Sequence, residues 1–135
     1  MTAGRLTPVS EVHQPVFDHL ERLTDDRGLF EHALHAVPRP EHGYCVDDVA
    51  RGLVVVCREP SPPQELITLG RRYLYFLGQA QVPGGQFRNR LGYDRHWRDE
   101  PGTEDCWGRA LWGLGTAAAR SRWRPRPSSS SRPGA

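Results

Sequence analysis

The sequence predicts an all-α fold: an incomplete set of stacked helical hairpins joined by long polar-aromatic loops. Two observations carry this. The stretch Asp47-Asp48-Val49-Ala50-Arg51-Gly52-Leu53 recurs in reduced form as Asp105-Cys106-Trp107-Gly108-Arg109-Ala110-Leu111, every matched position being offset by 58 residues. Each copy has a second carboxylate beside the shared Asp, Asp48 in one and Glu104 in the other, and each opens a segment of helical character. Between them, apolar residues keep three-four spacing in blocks punctuated by Pro and Gly, the pattern of amphipathic helices.

The first helix is expected from Ser10 to about Leu23, on Val12, Val16, Phe17, Leu20 and Leu23, with its true start near Gln14 because Pro15 suits a first turn. Thr24-Asp25-Asp26-Arg27-Gly28 stops it. Residues 28–45 read as a loop long for a compact domain, and long ordered loops often line sites. A second helix opens at Val46 or Asp47 and reaches Cys57 or Arg58, capped by Asp47 or Asp48 against the positive dipole end, with Val49, Leu53, Val56 and Cys57 as its apolar stripe. The run Val54-Val55-Val56 favours β structure, so a buried strand competes there. Gly52 stands at a helical position where Ala serves better. Helix three runs from about Pro63 to Gln79, with Leu66, Leu69, Tyr73, Phe76 and Leu77 on one side. A second irregular stretch, from Pro83-Gly84-Gly85 to Pro101-Gly102, is dense in polar and aromatic groups, the inventory of a binding loop. Helix four is expected from Thr103 to about Ala119, with acids in its first turn and Trp107, Ala110, Leu111 and Leu114 continuing it.

The 135 residues suffice for one small domain. Residues 120–135 form an Arg-, Pro- and Ser-rich tail that cannot bury a core and is expected to be disordered; it reads as a departure from the natural frame near residue 120, by frameshift or truncation, with a genuine basic tail as the alternative. The formal charge of +2 comes from that tail: residues 1–119 hold 13 Arg against 16 acids, a net −3, so nucleic-acid binding by the body is not indicated. Cys45, Cys57 and Cys106 form no paired framework, and no metal or cofactor spacing such as C-x-x-C occurs. No segment approaches the ~20 apolar residues of a membrane span, and no leader-like apolar run opens the chain; a cytoplasmic setting is the expectation.

Within each repeat Asp and Arg are four residues apart, within reach on one helix face. The expected scheme has Arg51 bracing Asp47 and Arg109 bracing Asp105, which leaves Asp48 and Glu104 to project as a catalytic pair, one protonating a leaving oxygen while the other activates water or attacks. Trp97, Tyr93 and Tyr44 offer faces for sugar rings; Arg88, Arg95 and Asn89 offer donors to hydroxyls or a phosphate. The competing reading is plain capping and helix-stabilising ion pairs. Among the histidines only His96, between Arg95 and Trp97, is a site candidate, and Cys106 reads as packing.

The stretches 43–51, 87–97 and 102–112 together resemble a bacterial family labelled glycosyltransferase or glycosyltransferase-associated, whose domain is similar to the six-hairpin glycosidases, an (α/α)6 toroid. The resemblance spans roughly residues 10–118 and implies a partial six-hairpin-like domain over residues 1–119. It implies a carbohydrate-active domain acting on a saccharide without a cofactor, with acid-bearing loops at one end of the toroid. The sugar-facing set it implies is Asp47, Asp48, Arg51, Arg88, Asn89, Tyr93, Asp94, Trp97, Glu104, Asp105 and Arg109. Two other functions stand beside this one: a non-catalytic sugar-binding or accessory module of a glycosyl-transfer system, and a small helical interaction protein acting through its basic tail.

Overall fold

Helix α2 (Val46–Arg58) is the centre of the molecule. Its apolar residues run round most of its circumference, so Val46, Val49, Ala50, Leu53, Val54, Val56 and Cys57 are all buried and only Val55 looks out. A helix apolar on so wide an arc must be covered from two sides. Here α3 (Gln64–Ala80) and α4 (Asp105–Arg120) do so, while barely touching one another. The computed structural model describes residues 16–120; the tail and the start of the first expected helix lie outside them. Within them that helix, α1, is short, Asp18–Arg22, and lays Phe17, Leu20 and Leu23 against the core.

The all-α expectation is corrected by the irregular stretches. About half of the described residues (51%) are helical, but 14% lie in strand or bridge, forming two small antiparallel sheets. In one, β1 (Ala33–Leu34) pairs with β2 (Val37–Pro38) as a local hairpin whose turn residue His35 takes a positive φ of 54°. In the other, β3 (Tyr44–Cys45) pairs with β4 (Arg90–Leu91), Tyr44 opposite Leu91 and Cys45 opposite Arg90. These strands are two residues long and join segments far apart in the chain, so no local periodicity announces them. The fold is therefore mixed, three packed helices with a ribbon across their ends, and not an α/α toroid.

The helix bounds otherwise match the expected ones closely. The Val54-Val55-Val56 run is helical because burial on two sides overrides its β preference. Gly52 has a packing reason: a Cβ there would meet Cε2 of Tyr73 at 3.0 Å, and the Tyr73 hydroxyl is fixed 2.6 Å from Oγ1 of Thr24. On α4 the buried line is Cys106, Ala110, Gly113 and Ala117, all small, while Trp107, Leu111 and Trp112 are partly exposed. Small residues let α4 approach closely: a Cβ on Gly113 would stand 3.4 Å from the Cβ of Ala50.

The β3–β4 ribbon sets the start of α2. The Val46 N–H donates to the Asn89 carbonyl at 2.8 Å, giving a partner to a donor that a helix start leaves open. Just before it, Gly43 has φ 72°, and a Cβ there would run into the Leu91 carbonyl oxygen. Gly43→Ala is therefore expected to destabilise the protein by more than the roughly 1–2 kcal/mol of left-handed strain alone. Urea denaturation checks this, and a change below about 0.5 kcal/mol contradicts the close approach.

Candidate functional site

Because α2 and α4 start at the same end of the molecule, their acidic first turns open onto one cavity of about 740 Å³. Asp47 comes from α2, and Glu104 and Asp105 from the start of α4. Asn89 comes from just before β4, and Asp99 and Glu100 from the stretch between β4 and α4, with Phe87 and Cys106 as apolar lining.

The acids differ in what they hold. Asp47 Oδ1 accepts from Nη1 of Arg109 at 2.9 Å, a bridge between the two repeats, and Oδ2 lies 3.8 Å from the Cys45 thiol. The same pair raises the Arg109 guanidinium above its ordinary value through the hydrogen bond to Asp47. Asp99 is an anchor: its carboxylate accepts from the Asn89 N–H at 2.7 Å and the Arg90 N–H at 2.8 Å, while Nη1 of Arg88 donates to the Asp99 carbonyl at 3.0 Å. Glu104, Asp105 and Glu100 have no side-chain hydrogen bond or ion pair among the described residues.

The expected bracing scheme is corrected. Arg51 does not brace Asp47; it lies 3.5 Å from Asp48, one turn back on its own helix. Arg109 braces Asp47 across the helix interface, and Asp105 makes no side-chain hydrogen bond or ion pair among the described residues. Asp48 consequently does not share the cavity with Glu104. It lines a separate hollow with Arg51, Glu31, Phe30 and Leu20. The acid that meets Glu104 in the cavity is Asp47.

The other expected site residues divide. Asn89 lines the cavity, and its Oδ1 accepts from the Cys45 thiol at 3.3 Å. Arg88 supports the loop through Asp99. Asp94 pairs with Arg98 at 2.8 Å and accepts from the His96 N–H at 3.1 Å, so it holds a turn. Tyr93 is exposed, tilted against Phe30 with centroids 6.3 Å apart. Trp97 packs on Phe76 at 5.8 Å and lines a different cleft. His96 joins neither hollow. Asp99, Glu100 and Phe87 lie in the stretch expected to be a binding loop but outside the expected site set, since their place on the cavity depends on how the loop folds back. Burial pushes the Cys45 thiol up to about 11 and raises Cys57 and Cys106, as expected of packing residues rather than nucleophiles. Among the described residues no three His, Cys, Asp or Glu side chains are placed to share a metal ion, and no helix is long and apolar enough to cross a membrane. In comparisons with known proteins, no family model, curated protein or solved structure matches this chain.

Two measurements check this geometry. A double-mutant cycle of Asp47→Asn with Arg109→Gln is expected to give a favourable coupling above experimental error, and the cycle of Asp47→Asn with Arg51→Gln none. The reverse ranking would restore the intrahelical scheme. The second uses pH. Burial raises the Asp48 carboxyl above its ordinary value; Arg51 opposes the rise and Glu31 adds to it. A raised folded-state pKa means the folded chain binds that proton more tightly than the unfolded one. Ionised Asp48 then costs stability above its folded pKa, and the cost vanishes below the ordinary Asp value, where both states are protonated. Relative to the parent, Asp48→Asn should therefore melt higher at pH 7 than it does at about pH 3. A difference that is the same at both pH values contradicts the burial of this group.

Proposed function

We propose that the cavity at the openings of α2 and α4 binds a saccharide, and that the chain serves glycosidic-bond chemistry, cleavage or transfer, as its resemblance to glycosyltransferase-labelled proteins implies. The observation that carries this reading is the meeting of Asp47 from one repeat with Glu104 and Asp105 from the other on a single hollow of about 740 Å³. That volume lies within the roughly 300–1,000 Å³ of small-molecule sites. A lining of carboxylates and one carboxamide suits a ligand rich in hydroxyl donors.

The two acids have different surroundings, as glycosidic chemistry needs. Among the described residues Glu104 makes no side-chain hydrogen bond or ion pair, which suits the carboxyl that faces the leaving oxygen. Asp47 is fixed in orientation by Arg109, which suits the second carboxylate, the one that activates water or attacks. Asp105 and Glu100 accept ligand hydroxyls. The loop that carries Asn89 is held in place by Asp99, so the cavity wall is set before a ligand arrives.

The test is a panel of neutral oligosaccharides scored for both binding and turnover. Glu104→Gln is expected to keep binding and lose about 10²–10⁴ in turnover. Asp47→Asn should impair turnover strongly and Asp48→Asn should not. A parent chain that binds saccharides without turnover, with binding weakened by Glu104→Gln, assigns the cavity to a sugar-binding module instead. Absence of saccharide binding refutes the proposal.

A further inference from the structure

A second cleft, of about 390 Å³, lies away from the acidic cavity and shares no lining residue with it. It is bounded by Arg27 in the turn after α1, by Tyr75 and Phe76 on α3, and by Arg95 and Trp97 in the loop after β4. Its chemistry is opposite to that of the first cavity. Arg27 and Arg95 make no side-chain hydrogen bond or ion pair among the described residues. Two guanidinium groups therefore stand with their donors free, beside a wall of aromatic rings in which Phe76 and Trp97 are tilted together at 5.8 Å. Asp26 and Gln79 complete the rim with acceptors, and Asp26 makes no side-chain hydrogen bond or ion pair among the described residues.

Arg95 is held there against its own backbone preference. Its φ is 74°, a conformation that glycine adopts freely and arginine does not. The turn that imposes it is tied on all sides: Arg95 N–H to the Gly92 carbonyl at 2.9 Å, Gly92 N–H to the His96 carbonyl at 2.9 Å, and Asp94 to Arg98. Gly92 itself is enclosed by the Asp94 and Arg98 side chains, which closes the turn further. A strained residue with a charged side chain facing a cleft is a recurrent feature of ligand clamps.

The geometry points to a binding site for an anionic ligand with a planar ring, of the mononucleotide class. Phosphate oxygens match the forked donors of Arg27 and Arg95. The base stacks on the accessible faces of Trp97 and Tyr75. Asp26 accepts from a ribose hydroxyl or an exocyclic amine. This inference does not rest on the saccharide reading, since it uses none of the residues of the acidic cavity.

The test is calorimetric titration of the full chain with a purine and a pyrimidine nucleoside monophosphate, with the parent nucleosides, and with inorganic phosphate. At least one monophosphate is expected to bind at least about tenfold tighter than either its nucleoside or phosphate, because both halves of the cleft are engaged. Arg27→Gln should weaken that binding at least about tenfold. Arg95→Gly separates binding from folding: it should melt no lower than the parent, because glycine relieves the positive φ, and should still lose binding at least about tenfold. The inference is overturned if no monophosphate binds, if phosphate alone binds as tightly, or if Arg95→Gly binds like the parent.

Discussion

The crossing of α2 and α4 at Ala50 and Gly113 is the constraint on which the rest of this structure depends. The absence of a side chain at Gly113 lets the two helices meet so closely that the Ala50 carbonyl and Cβ fill the space a Cβ would take. Close packing there aligns their starts, and both starts carry acids. The positive ends of two helix dipoles then face one hollow, which makes a concentration of carboxylates tolerable that would otherwise repel. The Arg109–Asp47 bridge is a consequence of the same approach, since only across a short interface does a side chain on one helix reach the first turn of the other.

A second constraint fixes the remaining wall. The β3–β4 ribbon brings the stretch after α3 back over the start of α2, and Asp99 ties that stretch down through two backbone N–H groups. One loop thereby serves two hollows of opposite character. Its Asn89 end faces the acidic cavity, and its Leu91–Trp97 end faces the aromatic cleft with the free arginines. The separation of charge between the two hollows makes them complementary in what they can hold.

How much of this was legible in the sequence depends on the range of the interaction. Helices α2, α3 and α4 were readable because their apolar spacing is a local signal, and Leu66, Leu69, Tyr73, Phe76 and Leu77 are buried as that spacing predicts. The strands were not, because two-residue pairings between Tyr44–Cys45 and Arg90–Leu91 leave no periodic trace. The expected all-α class failed on that point alone. In the site, the recurrence of Asp-x-x-x-Arg pointed to Asp47 and Asp48 together with Glu104 and Asp105; Asp47, Glu104 and Asp105 line one cavity, while Asp48, expected to pair with Glu104, lines another. The recurrence misjudged which Arg serves which acid. Spacing along one helix favours Arg51 with Asp47, but a neighbouring helix close enough to offer Arg109 changes the outcome, and Arg51 turns to Asp48. On α4, the Trp107 and Leu111 that were named with Ala110 and Leu114 as continuing the helix are partly exposed, because the small residues on the other side make the contact with α2.

The most direct test of this account is a cross-link at the crossing itself. The Cβ atoms of residues 50 and 113 would stand 3.4 Å apart, close to the roughly 3.5–4.5 Å of a disulfide. With the three native cysteines, which are buried, replaced by Ala or Ser, Ala50→Cys with Gly113→Cys is expected to oxidise within one molecule and to leave the near-ultraviolet circular dichroism unchanged. Thiols that stay free under oxidation, or that join only between molecules, would mean that α2 and α4 do not cross there and that their acids do not share a cavity.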